Sequence, residues 1–125
     1  MATVLWVALG GGLGAMGRYG AGVVTRAIVP DHVWPLATFG INVVGSICIG
    51  VVFVLLERGM IHEVNRPFLL VGLLGGFTTF STFSLELMHM AERGAWGHAA
   101  TYVMLSVLSC FIGVLAGAHM VRSLT

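Results

Sequence analysis

Four long apolar stretches alternate with short polar segments along the chain, and this pattern predicts an all-α membrane protein. Each apolar stretch has the length that a helix needs to cross a bilayer. The chain is expected to form a single domain over residues 1–125, with membrane spans at residues 3–26, 33–56, 67–90 and 96–121. The polar segments between the spans are a turn with Pro30, Asp31 and His32, a linker at residues 57–66 and a tight turn at residues 92–94.

The third apolar stretch contains polar residues that predict a break in its helix. Gly75 and Gly76 are adjacent, and each glycine costs a helix about 1 kcal/mol relative to alanine. The five hydroxyl residues that follow offer the backbone an alternative to helical hydrogen bonds. A broken helix in lipid is a pointer to an ion or substrate site. The alternative is a kinked helix whose hydroxyls bond back one turn, but their interleaving with Phe77, Phe80 and Phe83 favours a functional site.

The composition agrees with a location in the lipid bilayer. Of the 125 residues, 58% are hydrophobic and only 9% are charged, whereas a soluble domain carries about 25% charged residues. The net charge is +1 and lysine is absent, so the chain has no basic stripe for nucleic acid. Cys48 and Cys110 fall within predicted spans, where packing is their expected role.

The arginines are nearly balanced between the two predicted membrane faces. An excess of Lys and Arg normally marks the cytoplasmic side. Here one side carries Arg58, Arg66 and Arg122, and the other carries Arg26 and Arg93. A chain whose positive charges favour neither side can insert in both directions, which makes an antiparallel homodimer possible. The alternative is a single orientation that is determined by something other than the arginine count.

Polar residues follow one face of the second span and one face of the fourth. Thr38, Asn42 and Ser46 are spaced at i, i+4 and i+8, and the fourth span carries a comparable stripe at Tyr102, Ser106, Cys110 and Gly113. Two polar stripes beside a hydroxyl-rich break are typical of a pore lining. The stripes contain no acidic residue, and amide, hydroxyl and aromatic-edge hydrogens suit an anion. The alternative for Asn42 is a hydrogen bond between helices.

Two charged residues lie within or near the predicted spans. Arg18 is costly at bilayer depth, so it either snorkels to an interface or lines an aqueous vestibule that attracts anions. Intramembrane charges usually line cavities, which favours the vestibule. Glu86 is either a gate or proton group, or a snorkelling or capping acid near an interface.

Three motifs together resemble the Fluc/CrcB family of fluoride channels. They are GGLGA at residues 11–15 with Arg18 and Tyr19, TFGINVVG at 38–45, and GGFTTFSTFS at 75–84 followed by Glu86. The resemblance implies an antiparallel, dual-topology homodimer with two fluoride pores. It also implies a structural Na⁺ at the dimer centre, held by main-chain carbonyls at Gly75 and Thr78.

The same resemblance implies a role for individual side chains. Phe80 and Phe83 match the pore phenylalanines, and Asn42 matches the pore amide. Hydroxyls beside the ion path are implied at Ser81 and Thr82, and a polar track on the fourth helix is implied at Tyr102 and Ser106. Cys110 replaces a hydroxyl residue that some relatives carry. The implied function is passive export of fluoride across the cell (inner) membrane, which relieves fluoride toxicity.

Three other classes of protein agree less well with the sequence than a channel does. A small dual-topology, proton-coupled multidrug exporter also has four short helices, but it needs a central carboxylate in its first span, and this chain has none there. A scaffold subunit leaves the phenylalanine and hydroxyl pattern unexplained. An enzyme is disfavoured because the sequence contains no recognisable nucleophile–base pair or metal-ligand spacing.

Overall fold

The computed structural model describes residues 1–29 and 34–125, and its regular secondary structure there is entirely helical. Helix α1 covers Ala2–Ile28 and α2 covers Leu36–Glu57. The third passage consists of a 3₁₀ turn at Glu63–Asn65, a π-helical segment at Pro67–Leu74, α3 at Gly75–Phe77 and α4 at Phe80–Glu92; α5 then covers Trp96–Leu124. The all-α prediction is confirmed. The predicted turn at Pro30, Asp31 and His32, and residue 33 at the predicted start of the second span, lie outside the described residues.

Within residues 1–29 and 34–125, three helical stretches are long and apolar enough to cross a membrane. They are α2, the third passage taken as a whole over Glu63–Glu92, and α5. Helix α1 has 27 residues, which is long enough, but it is not among the three. Its seven glycines and two arginines lower its mean hydropathy, so a fourth span at α1 stays a prediction.

Glycines allow the helices to approach to backbone contact in two places. Helix α1 packs against the π-helical segment and α3, and a Cβ atom at Gly14 would lie only 2.7 Å from the backbone nitrogen of Phe77. Helix α2 packs against α5, and a Cβ atom at Gly50 would lie 2.9 Å from the backbone nitrogen of Ala118. Close packing of this kind replaces the hydrophobic drive that lipid does not supply.

Helices α2 and α5 run in the same direction along their contact. Gly113 lies beside Ser46, one turn before the contact of Gly50 with Ala118. Near the C-terminal ends, the Arg122 guanidinium lies 3.2 Å from the Glu57 carboxylate. The pair is half exposed, so it contributes at most about 1 kcal/mol. This parallel packing brings the polar face of α2 beside the polar face of α5.

Thr78 and Thr79 have extended backbone between α3 and α4. Their φ and ψ angles are −78° and 160° for Thr78, and −151° and 122° for Thr79. Gly75 is helical, with φ −64° and ψ −37°. The extended residues therefore lie three and four positions after Gly75, near which the sequence predicts the break.

Candidate functional site

Asn42 on α2 pairs with the backbone of Thr79 through two hydrogen bonds. Its Nδ2 donates to the Thr79 carbonyl oxygen at 2.9 Å, and its Oδ1 accepts from the Thr79 N–H at 2.8 Å. In a continuous helix that N–H would donate to the carbonyl of Gly75. The amide of Asn42 therefore takes the place of a helical partner and holds the extended backbone against α2.

Thr79 is also the N-cap of α4. Its Oγ1 accepts a hydrogen bond from the Thr82 N–H at 3.2 Å and donates to Thr82 Oγ1 at 3.0 Å. The Thr82 N–H would otherwise donate to the carbonyl of Thr78. A threonine N-cap contributes about 1 kcal/mol to a helix. Thr79 thus diverts one helical donor to its own side chain and, through Asn42, another to α2.

A cavity of about 360 Å³ lies beside the extended pair, between the faces of α2, α4 and α5. Its walls include Asn42, Phe80, Phe83, Ser106 and Cys110. The first turn of α4 borders it, so the positive end of that helix dipole lies at the cavity wall. The described side chains that line this smaller cavity include no acidic residue. Such a lining can provide hydrogen-bond donors to an anion without an opposing charge.

The aromatic rings near this cavity pack against one another in tilted pairs. The Phe80 and Phe83 ring centroids are 5.5 Å apart, and those of Phe83 and Tyr102 are 5.0 Å apart. Phe83 is buried, whereas Phe80 is 76% exposed in the single chain. Phe83 therefore forms a buried part of the cavity wall with the Tyr102 ring packed against it, while much of the Phe80 ring is exposed.

Ser106 has a buried hydroxyl oxygen with no hydrogen-bond partner among the described residues. Its side chain belongs to the wall of the smaller cavity, and the residue is only 6% exposed. A buried hydroxyl without a partner costs about 1–3 kcal/mol. The cost is removed when a polar guest in the cavity accepts its hydrogen bond.

A second cavity, of about 730 Å³, lies between α1, α2 and α4. The charged groups among its described lining residues are the guanidinium groups of Arg18 and Arg26 and the carboxylate of Glu86. Two cations against one carboxylate make this larger cavity electropositive, which attracts anions. Thr79 lines both cavities, so the extended backbone forms their common wall.

Glu86 is held by side chains from two other helices. Thr38 Oγ1 on α2 donates to Glu86 Oε1 at 2.6 Å, and the Tyr102 hydroxyl on α5 donates to Oε2 at 2.9 Å. Hydrogen bonds to an ionised carboxylate are about twice as strong as neutral ones. The carboxylate therefore joins α2, α4 and α5 at the wall of the larger cavity.

The residues that the sequence singles out fall into three groups. Asn42, Phe80, Phe83, Ser106 and Thr78 line the smaller cavity, and Arg18, Thr82 and Glu86 line the larger one. Tyr102 contacts both Glu86 and Phe83. Neither cavity includes Ser81 or Gly75 in its wall, although Ser81 Oγ lies 3.4 Å from Thr79 Oγ1.

Sequence reasoning did not single out Thr79 as a site residue, and it placed Thr38 on the polar stripe of the second span without identifying its partner. Thr79 lines both cavities and bonds to Asn42, and Thr38 bonds to Glu86. A threonine directly before a helical run is the usual signal of an N-cap, so Thr79 could have been found in this way. The spacing with Asn42 is a local signal for Thr38, but no local signal identifies its partner Glu86, which is 48 residues away in sequence.

Comparison with known proteins identifies the family. The family model described as CrcB-like protein, Camphor Resistance (CrcB), matches residues 5–118. A protein named Fluoride-specific ion channel FluC from Novosphingobium aromaticivorans is 46% identical over 98% of both chains. A protein of the same name from Cereibacter sphaeroides is 46% identical over 98% of this chain and 96% of the relative. Another from Magnetococcus marinus is 40% identical over 91% of this chain and 93% of the relative. The resemblance drawn from the three motifs is therefore confirmed, and the chain is a multi-pass membrane protein that belongs to the CrcB family.

Proposed function

We propose that the chain is the subunit of a fluoride-specific channel. The names of its relatives support fluoride as the transported ion. The observation that carries the proposal is the pair of cavities that both include Thr79 in their walls, one electropositive and the other mainly apolar with a few hydrogen-bond donors. As a channel the protein is not an enzyme, and it lets the ion move down its own electrochemical gradient.

The proposed path starts in the larger cavity, which acts as a vestibule. There Arg18 attracts the anion, and Thr82 lines the same cavity. In the smaller cavity the ion exchanges water for the Ser106 hydroxyl, the second N–H of Asn42 and the electropositive ring edges of Phe80 and Phe83. Fluoride is strongly hydrated, so a dry path has to replace these hydrogen bonds at each step.

Ser81, Glu86 and Tyr102 have supporting roles in this proposal. Ser81 lies on the first turn of α4 and adds a hydroxyl near the path. Glu86 is an accessory group at the vestibule wall, where the hydrogen bonds from Thr38 and Tyr102 fix its carboxylate. Tyr102 also supports the Phe83 ring from behind.

We propose further that two copies form an antiparallel, dual-topology homodimer with one pore per chain. The near balance of arginines supports insertion in both directions. Phe80 is 76% exposed in the single chain, so its ring is accessible to a partner subunit. Single-cysteine labels at each terminus in intact cells test this arrangement. Both termini should be accessible from both membrane faces, and accessibility from one face alone would contradict it.

A structural Na⁺ between the two copies is part of the proposal. The carbonyl groups of Gly75 and Thr78 fit the ion, because their usual helical donors, the N–H groups of Thr79 and Thr82, donate instead to Asn42 and to the Thr79 side chain. Freed main-chain carbonyls are suitable Na⁺ ligands. The ion would stabilise the contact between the extended segments of the two chains. Replacement of Na⁺ by a large organic cation should lower the thermal stability of the dimer, and unchanged stability would contradict the site.

The function is tested by fluoride efflux from liposomes that contain the purified protein. We expect fluoride efflux to be far faster than chloride efflux and to be unaffected by a protonophore. The same behaviour is expected in the inner membrane, which is the proposed location of the channel. Equal efflux of the two halides would contradict the selectivity. Efflux that a protonophore abolishes would favour the proton-coupled exporter instead.

A further inference from the structure

Helix α5 places a thiol within a row of hydroxyls. Tyr102, Ser106 and Cys110 are spaced at i, i+4 and i+8, which is one face of the helix. Cys110 is a free cysteine of intermediate exposure, and it lines the smaller cavity together with Ser106. A thiol is a weak hydrogen-bond donor but a far better nucleophile than a hydroxyl.

The cavity at Cys110 has the properties of a site that takes up a guest. Ser106, one turn away, is 6% exposed, and its hydroxyl oxygen is buried without a partner among the described residues. The cavity volume of about 360 Å³ far exceeds the roughly 30 Å³ that one water molecule occupies. A small uncharged molecule therefore fits beside the thiol, and the Ser106 hydroxyl can donate to a polar atom of that molecule.

We propose that Cys110 is a covalent modification site through which small, uncharged sulfenylating electrophiles close the channel. The cysteine sulfur attacks the sulfenyl sulfur of a thiosulfonate and forms an S–S bond. The bond between that sulfur and the sulfonyl group breaks, and a sulfinate leaves with the electron pair. The thiol proton is released to water, so the products are a mixed disulfide, a sulfinate ion and a hydrated proton. This inference rests on the proposed function, because its consequence is a loss of fluoride flux.

The mixed disulfide is expected to obstruct the path for two reasons. It replaces a polar hydrogen at Cys110 by an apolar methylthio group, and it fills space between Asn42 on α2 and Ser106 on α5. An anion that loses one hydrogen bond in a dry site is destabilised enough to slow its passage about tenfold or more. When a reductant removes the methylthio group, the thiol is restored and the hydrogen bond can form again.

Cys48 provides a matched control within the same chain. It is the second of the two cysteines, also free and of intermediate exposure, and it lies on α2 outside the wall of the smaller cavity. The variants Cys48→Ser and Cys110→Ser therefore each retain one thiol, in one case inside the cavity and in the other case outside it. Cys110→Ala serves as a second variant at the same position.

The experiment treats liposomes that contain the full chain with methyl methanethiosulfonate and measures fluoride efflux before and after treatment. Peptide mass analysis of the same samples locates the adduct. We expect the wild-type chain and Cys48→Ser to lose efflux about tenfold or more, with the adduct at Cys110, and to recover it in dithiothreitol. Cys110→Ser and Cys110→Ala should keep their own untreated efflux.

Three results would overturn the inference: no adduct at Cys110 in the wild-type chain, an adduct at Cys110 with unchanged efflux, or inhibition that persists in the Cys110 variants. Absence of fluoride efflux before any reagent is added is a different failure. It would overturn the proposed function, and the inference with it.

Discussion

Replacement of Asn42 by leucine removes both hydrogen bonds that hold the backbone of Thr79 while keeping a similar side-chain volume. Thr79 is 8% exposed, so its N–H and C=O groups have little access to water. Each buried polar group left without a partner costs about 1–3 kcal/mol, and two such groups cost about 2–6 kcal/mol. We expect Asn42→Leu to lower the midpoint of thermal unfolding in detergent and to reduce fluoride efflux from liposomes.

The control for this prediction is Ser46→Ala, which lies one turn further along α2 and lines the same cavity. Its expected effect on the free energy of unfolding is within about 0.5 kcal/mol. The reasoning is refuted if Asn42→Leu unfolds at the same temperature as Ser46→Ala and conducts equally well. Asn42→Asp separates charge from structure, because it keeps an acceptor for the Thr79 N–H but adds a negative charge that repels the anion. Normal conduction by Asn42→Asp would leave Asn42 with a packing role alone.

Three further predictions follow from the packing and the charges. Gly14→Ala places a methyl group against the backbone of α3 and should reduce the yield of folded protein on size exclusion. Gly12→Ala should not reduce the yield, because a Cβ atom there has nothing within 4 Å in the single chain. Equal yields would refute the close approach of the helices. Thr38→Val removes a hydrogen-bond donor to Glu86 and should lower the free energy of unfolding by about 1.5–3 kcal/mol. Thr38→Ser keeps the hydroxyl and should lower it much less, and an equal loss in the serine variant would contradict this role. Arg18→Gln should slow fluoride efflux more at low than at high ionic strength, and a salt-independent effect would exclude electrostatic attraction in the vestibule.

The helical pattern of the chain was readable from the sequence because apolar length and polar spacing are local properties. The spans predicted at residues 33–56 and 96–121 overlap almost completely with α2 at Leu36–Glu57 and α5 at Trp96–Leu124. The four-residue spacing of Thr38 and Asn42 also placed them correctly on one face. Their partners could not be read from spacing, since Glu86 and Thr79 lie on a different helical passage.

The exact position of the extended backbone could not be predicted from the local sequence. The sequence predicts a break near Gly75, from two glycines and the hydroxyl residues that follow them, but it does not say which residues leave the helix. In the structure Gly75–Phe77 is helical and the extended residues are Thr78 and Thr79. A side chain from α2 decides the difference, because Asn42 supplies both hydrogen bonds that Thr79 needs outside a helix. The π-helical segment at Pro67–Leu74 was likewise not predicted, and its backbone is in close contact with the glycines of α1.

The central claim is that fluoride passes the aromatic wall formed by Phe80 and Phe83. It is tested most directly by the initial rate of fluoride efflux from liposomes that contain Phe80→Ile or Phe83→Ile, with the oligomeric state of each variant checked on size exclusion. Isoleucine keeps an apolar side chain but has no electropositive ring edge. We predict that both variants assemble like the wild-type chain and release fluoride more slowly. If both assemble normally and release fluoride at the wild-type rate, the ion does not travel along these rings.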